Sequence, residues 1–135
     1  MNLEILKIAS NTNNQRFIEN YSHIINHKNI ICGDKIEITI KIKNKKIIDF
    51  GYQTKSCIYC QASASLLSRK SIGQEIDNVN DFLKKAEKLF NDEKIIVMPH
   101  WNIFKKILQK KNFSRKDCLL LPLNALKKII KSNCV

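Results

Sequence analysis

The stretch Lys35-Ile-Glu-Ile-Thr-Ile-Lys-Ile-Lys43 decides the fold of this 135-residue chain, because apolar and polar side chains alternate along its whole length. A period of two places its four isoleucines on one side of a half-buried strand. Asn44-Lys45 then forms a turn, and a second alternating stretch follows with Ile48, Phe50 and Tyr52. The sequence therefore predicts a β-hairpin over about residues 35–53.

Chemically reactive residues flank both ends of this hairpin. Cys32-Gly33-Asp34 comes just before the first strand, and Cys57 comes just after the second. Because antiparallel strands bring these two ends to the same edge, we expect Cys32, Asp34 and Cys57 to lie near one another.

Helical sequence begins after Cys57. Residues 61–70 read as a helix closed by Gly73. Cys57 thus lies where a strand passes into a helix amino terminus, and the partial positive charge there favours a thiolate.

Further helices are predicted on both sides of this region. A short one over residues 2–10 places Leu3, Leu6 and Ala9 on one face, whereas residues 15–30 are partly irregular. Asp81 is expected to cap a helix, and Pro99 to precede another whose face holds Trp101, Phe104 and Leu108.

The final helix is expected from about Leu119 to Lys131. Pro122 is tolerated only in a first turn, so this helix should begin close to Cys118 and leave a second thiol at a helix amino terminus. The order of elements predicts an α+β fold in one domain over residues 1–135.

Composition limits the class of protein. The net charge is +12, but it comes from lysines spread over all elements without interleaved aromatics, which favours a solvated face over a nucleic-acid footprint. An acidic protein partner is compatible with this charge. No apolar run is long enough for a membrane span, and the start of the chain lacks the features of a secretory signal. We expect a soluble, cytoplasmic protein without nucleic-acid or membrane partners.

Five cysteines in a reducing compartment favour thiolate chemistry or metal binding over disulfides. Cys60 and Cys134 are expected to be small buried side chains. The other three combine with one carboxylate into a set of three sulfur ligands and one oxygen ligand: Cys32, Asp34, Cys57 and Cys118. Zinc accepts such a set, and so does iron with inorganic sulfide. The oxygen ligand exchanges more readily than a thiolate and suits a site that is filled and emptied.

Two other residue pairs have the spacing of a redox site or a metal site. Cys57-x-x-Cys60 has the spacing of a redox pair, but no thioredoxin-like βαβ pattern surrounds it. His23 and His27 are four residues apart, as metal ligands on a helix are, but no Glu at position 24 completes the metalloprotease pattern, which favours surface or capping roles.

The motifs together resemble the iron–sulfur cluster scaffold family, which comprises IscU, SufU and the amino-terminal domain of NifU. These motifs are Cys32-Gly33-Asp34 before an alternating strand, Cys57 followed by Ala62-Ser63-Ala64-Ser65, and Arg115-x-x-Cys118 with Leu120-Leu121-Pro122. The resemblance implies a small antiparallel sheet with helices on one face. It also implies a carrier that is not itself a turnover enzyme, which accepts sulfur from a cysteine desulfurase, builds a transient [2Fe–2S] cluster and passes it to apo recipient proteins.

By the same resemblance, Cys32, Asp34, Cys57 and Cys118 are the metal and cluster ligands, and Cys118 or Cys57 receives persulfide sulfur. Asp117 stands where IscU-type members have a His, which places the chain nearer the SufU-like branch. The alternative function is therefore a zinc-dependent sulfurtransferase in which Cys32 accepts the persulfide. Asp117 is either an extra oxygen ligand or a helix cap. We expect a monomer or weak oligomer.

Overall fold

A computed structural model describes residues 3–31, 33–92 and 94–133 of the protein, so Cys32 and Cys134 lie outside the described residues. The elements are α1 (Leu3–Ala9), β1 (His23–Lys28), β2 (Lys35–Lys43), β3 (Lys46–Lys55), α2 (Ile58–Ser71), α3 (Ile76–Ala86) and α4 (Lys116–Asn133). Three 3₁₀ segments over Glu87–Phe90, Pro99–Lys106 and Lys110–Arg115 connect α3 to α4.

The predicted hairpin is confirmed as β2 and β3, two strands of an antiparallel sheet with the order β1-β2-β3. Lys43 pairs with Lys46, so only Asn44 and Lys45 form the turn. Both have positive φ, 52° and 61°, as a two-residue hairpin turn requires for its twist to match that of the strands.

The prediction that Ile48 lies on the inner face of β3 is wrong, because the strand has a bulge near the turn. Lys41 pairs with Asp49 and Ile42 pairs with Ile47, so Ile48 is the extra residue and is 40% exposed. Ile47 takes its place in the core. Alternation could not show this, because a bulge changes which residues face inward.

The third strand lies in a region predicted to be irregular. β1 pairs along β2 from His23 opposite Ile40 to Lys28 opposite Lys35. His23 and His27 therefore lie on a strand and not on a helix. Alternation is weak in this segment, so pairing with β2 determines its structure.

The helices pack on one face of the sheet, as the α+β fold class predicts. Ile36, Ile38 and Ile40 turn inward beneath α2 and α4. All buried apolar side chains of the described residues except Ile18 form one hydrophobic cluster. Trp101, Phe104 and Leu108 are buried as predicted, although the segment that holds the first two is a 3₁₀ helix that starts at Pro99 itself.

Three predicted helix details are wrong. In α1, Ile5 is buried and Leu3 is 79% exposed. Asp81 does not cap a helix: it lies within α3 and pairs with Lys85 at 3.1 Å. Pro122 lies beyond the first turn of α4, because this helix continues directly from the preceding 3₁₀ segment and starts at Lys116.

No helix among residues 3–31, 33–92 and 94–133 is long and apolar enough to cross a membrane.

Candidate metal centre

Asp34 is positioned by the tight loop between β1 and β2. The Asn29 amide donates to the Asp34 carbonyl and the Gly33 amide donates to the Asn29 carbonyl, both at 2.8 Å. Gly33 has a φ of +78°, which a residue with a side chain rarely adopts. The loop therefore closes on itself and holds the buried Asp34 at the start of β2.

Cys57 lies between β3 and α2. It is the N-cap residue of α2, and its carbonyl accepts the first helical hydrogen bond, from the Gln61 amide at 3.1 Å. Its side chain makes no capping hydrogen bond within the described chain. The half-buried thiol is thus held at the helix amino terminus without being used to cap it.

Cys118 is buried in the first turn of α4, as the predicted helix amino terminus implies. The carbonyl of the next residue, Leu119, accepts a 2.6 Å hydrogen bond from the buried Ser63 hydroxyl of α2. This bond ties the second turn of α2 to the first turn of α4, which positions Cys118 relative to Cys57. Ser63 belongs to the Ala62–Ser65 motif, but its positioning role could not be inferred from the sequence.

The structure brings three of the four predicted ligands together. One carboxylate oxygen of Asp34 and the sulfur atoms of Cys57 and Cys118 all lie within 4.8 Å of one another. They come from a loop, a helix cap and a helix first turn that are distant in sequence. Cys32 lies outside the described residues, two positions before Asp34.

The electrostatics of this centre fit a cation. Asp34 Oδ2 is buried and has no hydrogen-bond partner among the described residues. Burial raises the pKa of the Cys118 thiol, and the neighbouring Cys57 thiol and Asp34 carboxyl raise it further. A divalent metal would supply the missing partner for the oxygen and would favour the thiolates, because metal binding displaces thiol protons.

Comparison with known proteins identifies the family of this chain. Residues 2–95 match the family described as the NifU-like N-terminal domain. The chain belongs to this family. The matched residues include Asp34 and Cys57, whereas Cys118 follows them in the sequence.

Relatives of this NifU-like chain agree with that assignment. The iron–sulfur cluster assembly scaffold protein IscU of Thermotoga maritima is 29% identical over 104 residues, which are 77% of this chain and 73% of the relative. A putative iron–sulfur cluster assembly scaffold protein for the SUF system from Fervidobacterium islandicum superposes with a TM-score of 0.82 at 22% identity, covering 96% of this chain and 95% of that one. The N-terminal part of a nitrogen-fixing NifU-like protein from Brucella abortus gives 0.81 at 20% identity, covering 96% and 91%. The two structural likenesses concern the fold.

The other candidate residues of the NifU-like domain are not among the three clustered ligands. Cys60 is fully buried, as predicted, with its sulfur 4.0 Å from the Thr54 hydroxyl. Asp117 is exposed in the first turn of α4, one residue inside the helix start, so it is not the N-cap residue. His27 Nδ1 lies 3.2 Å from the Lys128 ammonium. Burial and that ammonium lower the pKa of His27.

Arg115 of the Arg115-x-x-Cys118 motif makes a contact that the sequence could not show. The Arg115 guanidinium lies over the Tyr59 ring, 5.3 Å from its centroid. This contact joins the residue before α4 to the first turn of α2, the two helix ends that hold Cys118 and Cys57.

Proposed function

We propose that this protein is an iron–sulfur cluster assembly scaffold that binds iron, accepts sulfur from a cysteine desulfurase, and builds and passes on a [2Fe–2S] cluster. The observation that carries the proposal is the convergence of Asp34, Cys57 and Cys118, with a buried carboxylate oxygen that has no other partner among the described residues. The IscU scaffold relative supports the same assignment.

The proposed ligand set is Cys32, Asp34, Cys57 and Cys118. Thiolates bind iron firmly, and the Asp34 oxygen makes one position of the site easier to exchange. A carrier needs this combination, because the cluster is cargo that must be held and later released to an apo recipient. The described residues supply three donors, one oxygen and two sulfur atoms, from three separate elements of the chain.

Sulfur transfer to this site needs an accessible thiolate. The thiolate attacks the terminal sulfur of the desulfurase persulfide, a new S–S bond forms, and the desulfurase cysteine leaves as a thiolate. Of the two described thiols in the ligand set, Cys57 is half-buried and Cys118 is buried, so Cys57 is favoured as the first acceptor. Release of sulfide from the resulting persulfide consumes two electrons from an external thiol or electron-transfer protein.

The deciding experiment measures iron and acid-labile sulfide in protein purified without oxygen, after incubation with iron, cysteine and a desulfurase. We expect equal amounts of iron and sulfide and visible charge-transfer absorption. Cys32→Ala, Cys57→Ala and Cys118→Ala should each lose this absorption, whereas the matched control Cys60→Ala should retain it. A cluster that survives loss of both Cys57 and Cys118 would refute the ligand set.

Asp34→Ala tests the exchangeable position. Removing the carboxylate should give a cluster that assembles but transfers more slowly to an apo ferredoxin, because the readily exchanged ligand is gone. Transfer is measured from the ferredoxin spectrum, with Asp117→Ala as the control from the same region. Transfer as fast as in the unmodified protein would argue against the role of Asp34.

A zinc-dependent sulfurtransferase is the second candidate, favoured by Asp117 at the position before Cys118. In this case Cys32 leaves the metal and accepts the persulfide. The same reconstitution separates the two functions. One tightly held zinc, no sulfide and faster desulfurase turnover would establish sulfur transfer, and Asp34→Ala would then lose both the zinc and the stimulation.

A further inference from the structure

Three lysines form a row across the outer face of the sheet. Lys28 of β1 pairs with Lys35 of β2, and Lys35 pairs with Lys55 of β3. Directly paired residues project from the same face. That face is opposite to the helices, because the next residue of β2, Ile36, is buried beneath them. All three lysines are exposed.

The three lysines of this row form no ion pair with the part of the chain that the structure describes. Like charges directly opposite one another on neighbouring strands destabilise a sheet. The neighbouring row is Asn26, Glu37 and Gln53, so a single carboxylate lies beside three positive charges.

Part of the outer face is covered by the chain itself, around Thr39 and Gly51. The Ile18 amide donates to the Thr39 hydroxyl at 3.1 Å, and the Tyr52 amide donates to the Asn14 carbonyl at 3.0 Å. At Gly51 an added Cβ would meet the Arg16 carbonyl oxygen at 2.5 Å, so the segment lies directly on the sheet there. The covering segment reaches the cleft only at Gln15, and the lysine row remains exposed to solvent.

The open part of this face is concave. A cleft of 540 Å³ is lined by the three lysines together with Gln15, Asn26, Glu37 and Gln53, and by parts of neighbouring strand residues. Amide side chains can donate to and accept from peptide groups. The described residues that line this cleft include no Phe, Tyr or Trp, and the one imidazole, that of His27, pairs with Ile36 on the opposite face of the sheet. The lysine row therefore has no large aromatic side chain beside it on which nucleic-acid bases could stack.

We propose that the lysine row binds an acidic polypeptide segment of a partner protein. Three neighbouring strands span about 10 Å, which fits two or three carboxylates of a short segment. The row also adjoins the candidate metal centre, because Lys35 follows Asp34 and Lys55 lies two residues before Cys57. A partner bound there is next to the centre without covering the thiols. This inference rests on the charge and shape of the face and does not require the proposed scaffold function.

The test is binding of fluorescein-labelled hexaglutamate to the whole protein, followed by anisotropy at low and physiological salt. Lys28→Gln, Lys35→Gln and Lys55→Gln together should weaken binding at least about tenfold, as expected from the loss of three charge interactions. The matched control changes Lys84, Lys88 and Lys111 to Gln. These lysines are also exposed and outside the ion pairs, so the control removes the same net charge. It should change the affinity less than about twofold.

Three outcomes would overturn the proposal. Equal losses in the two triple variants would show that only net charge matters. Absence of hexaglutamate binding at low salt would remove the site altogether. Heptathymidylate, which has six phosphates, binding more tightly than hexaglutamate through the same three lysines would make the face a nucleic-acid site. Circular dichroism of both variants establishes that each is folded.

Discussion

Cys57 and Cys60 are three residues apart, but their surroundings differ completely. Cys57 is half-buried at the N-cap of α2, beside Asp34 and Cys118. Cys60 is fully buried one turn later, and its sulfur lies 4.0 Å from the Thr54 hydroxyl. The Cys57 thiol is accessible to a ligand, whereas the Cys60 thiol is enclosed like any core side chain. The CxxC spacing alone could not separate these roles.

Burial of Cys60 predicts a pH dependence of stability. Burial raises the pKa of this thiol from about 9 to about 12. The unfolded chain therefore loses this proton from about pH 9 upward, whereas the folded chain retains it to about pH 12. The folded state binds more protons in that interval, so this group makes the free energy of unfolding fall as pH rises, by at most about 1.4 kcal/mol per pH unit.

Cys60→Ala should flatten this slope. The measurement is urea unfolding under reducing conditions at several pH values from 6 to 10.5, for both proteins. Below about pH 8 the two slopes should coincide, because Cys60 is protonated in both the folded and the unfolded chain. Identical slopes above pH 9 would show that Cys60 is not shielded from solvent.

Part of the candidate site follows from residue order. Hairpin geometry alone predicts that Asp34 and Cys57 approach each other, because they flank paired strands. The position of Cys118 depends on how α4 packs on α2, through contacts such as Ser63 with the Leu119 carbonyl. Long-range packing of this kind leaves no periodic signal. The sequence also could not show that Asp34 Oδ2 is left without a partner in the described chain.

Among the elements, the β2–β3 turn is the most constrained. Asn tolerates positive φ, but Lys45 at +61° carries a Cβ that crowds its own backbone. Natural two-residue turns of this geometry favour Asn-Gly. The present Asn44-Lys45 turn therefore reduces stability while the paired strands hold it in place.

Lys45→Gly should raise the free energy of unfolding by about 0.5–1 kcal/mol, because Gly adopts this φ without strain. The neighbouring Lys46→Gly is the control and should lower it by a similar amount, since Lys46 is in regular strand geometry. Both are measured by urea denaturation. Destabilisation by Lys45→Gly would mean that the lysine side chain, and not its backbone, dominates at this position.

The elements differ in how readily the sequence reveals them. β2 and β3 have strong alternation and were predicted, whereas β1 forms because its backbone pairs with β2 and was missed. Pro122 illustrates the limit for helices. Without an N–H it cannot donate to the Cys118 carbonyl, yet α4 continues past it because the helix is packed against α2, β1 and the rest of the core.

For the whole molecule, metal binding should stabilise the folded state, because the three ligands lie on three separate segments of the chain. A metal held by Asp34, Cys57 and Cys118 binds only when the β1–β2 loop, α2 and α4 are assembled. It therefore binds the folded chain in preference to the unfolded chain.

Zinc offered at about 100 times its Kd should raise the free energy of unfolding by about 2.7 kcal/mol, or Tm by about 8–10 °C. Excess EDTA should reverse the shift. Thermal unfolding with and without zinc measures it, and Cys60→Ala should keep the shift while Cys118→Ala loses it. An undiminished shift in Cys118→Ala would place zinc elsewhere on the chain.

The spacing of the three ligands also has a consequence for the newly made protein. Asp34 and Cys57 leave the ribosome several seconds before Cys118, at the usual rate of about 5–20 residues per second. During this interval the nascent chain displays one carboxylate and a thiol without the α4 cysteine, and without the helix that shields the inner face of the sheet. Binding of a metal by all three of these ligands must therefore follow translation of α4, and a transcript that ends before codon 118 would yield a product without the complete three-residue centre.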